Sequence, residues 1–171
     1  VGDIFFRYIT WGGDGILIGI VCFVFLFVRL RYGILLSLVS FISAFFVSLL
    51  KQFYDEPRPS RYFAGQDVNW VDGIDLYANH SFPSGHAAAA FTMFLLMSFF
   101  FNNKSLTAVF FVLALLVAIS RVYLFQHFLI DVWVGSFCGV VFGTIIYHLI
   151  MITPLFKNKT WHNWSLLKSP N

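Results

Sequence analysis

The chain has 171 residues, of which 59% are hydrophobic, 20% aromatic and only 11% charged, with a net charge of +3. Soluble domains carry roughly 45–50% apolar and about 25% charged residues; this chain has too little charge to cover a water-facing surface, and its mean hydropathy of +0.80 agrees. That balance excludes a disordered chain, a soluble enzyme and, because the basic residues form no single stripe, a nucleic-acid-binding domain.

A helix needs about 20 apolar residues to cross the hydrocarbon core, with a range of roughly 17–25. Taken in chain order, residues 3–11 come first. They set Ile4, Phe5, Tyr8 and Trp11 along one helical face, with Asp3, Arg7 and Thr10 elsewhere. That pattern fits a short helix lying in the headgroups and equally an extension of the first span. Gly12-Gly13-Asp14-Gly15 lets the chain bend there. Five apolar runs follow, at 15–28 (short unless 11–14 belong to it), 32–50, 84–101, 105–123 and 128–152. All must be helices, because an open sheet edge has no partner in lipid, and the alternating segments of a barrel are missing. Trp161 and Trp164, after Pro154, read as an interfacial anchor. The expected fold is all-α integral membrane: a single domain over 1–171, built as a bundle of five transmembrane helices with or without an N-terminal interfacial helix.

Five crossings put the termini on opposite sides. Arg29, Arg31 and Lys104 in the short connectors then share a side with Lys157, Lys159 and Lys168 of the tail at 153–171, and no acidic residue lies there. The positive-inside rule places that side in the cytoplasm. The N-terminus and the loop at 53–80 face outward, which for a bacterial inner membrane means the periplasm or exterior. Cys22 and Cys138 sit in apolar runs and read as buried hydrophobes. The chain starts Val1-Gly2 rather than Met, which leaves open whether residues precede it; no basic-then-apolar leader is visible within it.

Three clusters break the apolar pattern, all at outward helix ends. They are Lys51 with Arg58-Pro59, then Pro83-Ser84-Gly85-His86, then Ser120-Arg121 with His127 and Asp131. Lys51, Arg58 and Arg121 place three cations at the apolar boundary, where unpaired charge is expensive. The guanidinium fork suits phosphate oxygens. Ser84 and Gly85 open a helix whose N-terminal amides and dipole attract an anion. His127 and Asp131 are four apart, on one helical face. A carboxylate holding one ring nitrogen frees the other to attack, which makes His127 the candidate nucleophile and His86 the candidate general acid. Taken singly, each cluster has a plain alternative: a structural hydrogen bond for His127 and Asp131, a helix cap for Ser84, a snorkelling Lys51. His148 reads as a bundle residue, and His80 and His162 as solvated.

These same residues resemble the three-part signature of the type-2 phosphatidic acid phosphatase superfamily. Lys51-x6-Arg58-Pro59, Pro83-Ser84-Gly85-His86 and Ser120-Arg121-x5-His127-x3-Asp131 match it at eleven positions, in order, over a core of about 51–131. The resemblance implies metal-independent dephosphorylation without a cofactor. In it, His127 is the nucleophile, Asp131 orients it and His86 is the acid, while Lys51, Arg58, Ser84, Gly85 and Arg121 hold the phosphoryl group. Membrane members often have six spans, where five are read here. The expected activity is a membrane lipid phosphatase at the outer face, acting on phosphatidic acid, phosphatidylglycerophosphate, undecaprenyl diphosphate or a lipid A phosphate. The alternatives are a lipid-to-lipid phosphotransferase and a non-catalytic phosphate-binding membrane protein. A transporter with a basic vestibule fits less well, because the charges gather at one face and no broken midplane helix pair is evident.

Overall fold

The computed structural model describes residues 2–157 and 165–166. Trp161, Trp164, Lys159, Lys168 and His162 lie outside the described residues. Every regular element among the described residues is helical: α1 (Gly2–Ile9), a 3-10 turn (Thr10–Gly13), α2 (Gly15–Val28), α3 (Leu30–Tyr54), α4 (Pro59–Tyr62), α5 (Gly85–Phe101), α6 (Lys104–Tyr123), α7 (Leu129–Met151) and α8 (Pro154–Lys157). Each of the five apolar runs is a helix with ends close to those expected.

The apolar side chains are turned outward as well as inward. Ile16, Phe41 and Trp133 are 77%, 74% and 65% exposed on the outer faces of α2, α3 and α7. In water such a surface would aggregate; in lipid it is the solvated face. Leu30–Tyr62, Lys104–Tyr123 and Leu129–Met151 are long and apolar enough to cross a membrane. Gly2–Gly13 and Gly15–Val28 qualify only as a pair, bent by 54°. α5, at 17 residues, is a shorter apolar helix.

That bend is where the glycine-rich stretch lies. Asp14 adopts an extended conformation and its side chain accepts the Ile16 amide, capping α2. The segment before it is docked on the bundle, which neither reading of residues 3–11 foresaw. Tyr123 Oη donates to Asp3 at 2.7 Å, the Phe6 and Tyr123 rings lie 4.3 Å apart, and Thr10 and Gly13 are buried.

α5 is the central helix and packs against α3, α6 and α7. Its small residues Ala87, Ala88 and Ala90 are buried and admit close neighbours. On α7, Gly135, Gly139 and Gly143 fall four apart on the face turned to α5. A Cβ at Gly135 would strike the Ser84 carbonyl, and one at Gly139 the Ala88 carbonyl. Small residues at this spacing let membrane helices pack backbone to backbone. A hydroxyl chain adds a polar tie across three helices: Thr92 Oγ1 donates to the Gly139 carbonyl at 3.0 Å and pairs with Ser43 Oγ at 3.1 Å.

Candidate functional site

The tight packing of α5 on α7 sets two helix N-termini side by side. The Ser84 amide donates to the Asp131 carbonyl at 2.9 Å, joining the start of α5 to the first turn of α7. Ser84 caps α5: its carbonyl takes the Ala88 amide at 3.1 Å and its hydroxyl the Ala87 amide at 3.4 Å. The amides of Gly85 and His86 make no hydrogen bond among the described residues. They are a free donor pair at the positive end of a helix. A Cβ at Gly85 would meet only Lys51 Cε, at 3.9 Å, so packing by itself does not demand glycine there.

His127 sits in the loop between α6 and α7 and is buried, as is Asp131. Its Nδ1 lies 3.6 Å from Asp131 Oδ2, within ion-pair distance but too far for a hydrogen bond. Asp131 is itself held: the Ser81 hydroxyl and the Phe128 amide, the latter at 2.9 Å, both donate to Oδ2. Burial strips water from a His127 imidazolium, and Arg58, Arg121 and Lys51 repel it. Together these outweigh the pull of Asp131 and push the pKa from 6.5 down to about 4. His127 is therefore neutral at physiological pH.

The three cations converge from three elements. Lys51, in the last turn of α3, donates to the His80 carbonyl at 3.1 Å. Arg58, just ahead of α4, is buried. It donates from Nε to the Asn79 carbonyl at 2.9 Å and from Nη1 to the Gln126 carbonyl and Oε1, each at 3.2 Å, and lies over the Tyr77 ring. Arg121, in the last turn of α6, is buried. Its Nη1 donates to Thr10 Oγ1 at 2.7 Å, and its Nε has no acceptor among the described residues. None of the three pairs with a carboxylate among the described residues. The loop carboxylates Asp67, Asp72 and Asp75 do not neutralise them. That loop is tied down by main-chain carbonyls instead, with Arg7 on Asp72 and Gln126 on Asp75. His86 lies within electrostatic reach of Lys51, Arg58, Arg121 and His127.

All eight residues singled out in the sequence thus gather at one end of the bundle. Ser81, Gln126, Asn79, Thr10 and Asp14 were missed. Gln126, a polar residue beside His127 in an apolar stretch, was the one local signal; the others meet the site only through tertiary contacts. Two cavities adjoin it. One of 240 Å³ runs between α3 and α5 past Ser40, Ser43, Lys51 and Gly85. One of 510 Å³ lies among Tyr54, Tyr62, Phe82 and Phe128 and reaches Asp131.

Residues 30–153 match the PAP2 superfamily. The chain belongs to that superfamily. Its fold is shared with the crystal structure of Aquifex aeolicus LpxE, at a TM-score of 0.75 and 30% identity over 85% of each chain. It is shared also with a transmembrane PAP2-type phosphatidylglycerolphosphate phosphatase from Bacillus subtilis, at a TM-score of 0.70 and 25% identity, covering 89% of this chain and 78% of that one. A lipid A 4'-phosphatase from Porphyromonas gingivalis is 28% identical over 106 residues, 61% of this chain. The chain spans 44% of the length of that curated relative. The PAP2 match includes Lys51, Arg58, Ser84, Gly85, His86, Arg121, His127 and Asp131, whereas Thr10 and Asp14 lie upstream of it.

Proposed function

We propose that this PAP2 protein is a membrane lipid phosphatase that releases phosphate from a lipid monoester or diphosphate through a phosphohistidine intermediate. One observation carries the reading: three cations without carboxylate partners among the described residues surround a buried histidine that is neutral at physiological pH. Such a pocket attracts an anion and meets it with an unprotonated nucleophile.

In the first step His127 Nε2 attacks phosphorus. The P–N bond forms as the P–O bond to the lipid breaks, and His86 gives its proton to the leaving oxygen. In the second step water attacks, His86 takes its proton, the P–N bond breaks and inorganic phosphate leaves. Asp131 holds the Nδ1 proton and steadies the charge that develops on His127. Arg58, Arg121, Lys51 and the amides of Gly85 and His86 bind the phosphoryl oxygens, where charge spreads in the transition state. Ser84 acts mainly by shaping that helix start. No metal or cofactor takes part.

We place the active site at the outward face of a bacterial inner membrane, on a bundle whose five apolar helices all cross, with the lipid tails left in the bilayer. Relatives named for lipid A and for phosphatidylglycerolphosphate support a phosphorylated membrane lipid as substrate. The test is inorganic phosphate release from phosphatidic acid, phosphatidylglycerophosphate, undecaprenyl diphosphate and lipid A, in detergent with excess EDTA. Release is expected from at least one of them. His127→Ala should lower it by roughly a thousandfold or more, while Asp67→Ala leaves it unchanged. Full activity in His127→Ala would overturn the nucleophile assignment. No release by the folded wild type would favour transfer to a lipid acceptor or binding alone.

A further inference from the structure

The two histidines of the site need opposite charge states. His127 must be neutral to attack, whereas His86 must carry a proton to give to the leaving oxygen. Yet the charges of Lys51 from α3, Arg58 from the start of α4, Arg121 from α6 and His127 from the loop before α7 all bear on His86. Asp131 is committed elsewhere, to the Ser81 hydroxyl, the Phe128 amide and His127.

A second carboxylate reaches the site from the N-terminal segment. Asp14 Oδ2 lies 3.9 Å from His86 Nε2, with side chains 42% and 32% exposed. Its other oxygen, Oδ1, accepts the Ile16 amide at 2.8 Å, so the cap on α2 fixes the carboxylate in place. The residues before it are pinned as well. The backbone at Gly13 runs so close to the His86 carbonyl that a Cβ would collide with it. Thr10 Oγ1 takes the Arg121 hydrogen bond at 2.7 Å. One turn of chain therefore touches both a phosphate-facing cation and the acid.

We infer that Asp14 is a positioning residue for His86. Its carboxylate faces Nε2 across ion-pair distance, without a hydrogen bond, and steadies the imidazolium by charge, which leaves the Nδ1 proton for the leaving oxygen. This rests on the phosphatase reading above. It extends the site beyond the part of the chain that matches the superfamily. No atom of Asp14 is consumed: the proton passes from His86 to the ester oxygen as the P–O bond breaks, and returns to His86 from the attacking water.

Asp14→Asn removes the charge and keeps a side chain that caps helices well, and Asp14→Ser does the same with a different shape. The experiment compares pH profiles of kcat/KM for the wild type and both variants, with short-chain phosphatidic acid and p-nitrophenyl phosphate as probes. An alkyl oxygen needs a proton to leave; p-nitrophenolate leaves without one. The expected result is a basic limb moved down by about one pH unit for phosphatidic acid and a loss of roughly tenfold above that limb. Turnover of p-nitrophenyl phosphate should stay within about twofold of wild type, because its step needs little acid catalysis. Equal losses on both probes would reduce Asp14 to a helix cap and overturn the assignment, as would unchanged profiles or failure of both variants to fold. His127→Gln is measured alongside: turnover surviving there removes the phosphohistidine mechanism itself, whatever Asp14 does.

Discussion

At the scale of single residues, His127 is defined by what surrounds it more than by what it touches. The buried ring has three cations nearby and one carboxylate 3.6 Å from Nδ1. The sign of its titration follows. Its pKa in the folded protein is lowered, so the unfolded chain binds the proton first as the pH falls, and folding stability contributed by the neutral ring is lost between about 6.5 and about 4. Over the same window the folded protein keeps an unprotonated imidazole. Histidine-selective NMR in detergent, with His127 assigned by its absence in His127→Gln, should show a midpoint near 4 for that ring. A midpoint at 6 or above would mean that the cations do not face it. The pairing of His127 with Asp131 was legible as a spacing of four. Ser81 was not: it meets Asp131 across 50 positions of sequence and carries no local mark.

At the scale of elements, the site exists because α5 and α7 approach closely enough for their first turns to share a hydrogen bond. Glycines on α7 permit that approach. Gly139→Val would drive a branched side chain into the Ala88 carbonyl, backbone that cannot swing aside. The expected cost is about 3 kcal/mol, at the upper end for overpacking, with activity lost in parallel because Ser84 and Asp131 separate. Gly19→Val is the control: no described residue lies within 4 Å of a Cβ there, so its midpoint should hardly move. Thermal unfolding in detergent, followed by circular dichroism, compares the two. Equal midpoints would show that the glycine face does not set the helix spacing. The same logic explains the N-terminal segment. Its amphipathic pattern was visible in sequence, but its docking was not, since the decisive contacts of Gly13 with α5 and of Tyr123 with Asp3 join distant parts of the chain.

At the scale of the whole molecule, the charges divide by face. The acidic residues and the candidate site lie at one end of the bundle, and Arg29, Arg31, Lys104 and Lys157 at the other. The proposed five crossings predict that Gln66 and Asn103, both exposed, lie on opposite sides of the membrane. Single substitutions Gln66→Cys and Asn103→Cys, with the buried Cys22 and Cys138 as silent background, can be probed in intact cells by a membrane-impermeant maleimide. Label should enter at position 66 without lysis and at position 103 only after it. Labelling of both from outside would contradict the five-span arrangement. Helix length alone does not decide it, because α5 has 17 residues and α1 with α2 form a pair bent by 54°.

Composition and order along the chain already indicated a membrane protein made of helices, and marked eight polar residues that the fold brings to one end of the bundle. The reason is that a bilayer punishes every polar group without a purpose, so those left at apolar boundaries stand out. Tertiary structure alone decided how those residues are held. The Gly135 and Gly139 contacts align two helix starts, Ser81 and the Phe128 amide fix Asp131, Gln126 and Asn79 seat Arg58, and the bend at Asp14 brings a carboxylate to His86. These are contacts between residues far apart in sequence, set by how closely backbones can pack, and no periodicity or local spacing encodes them.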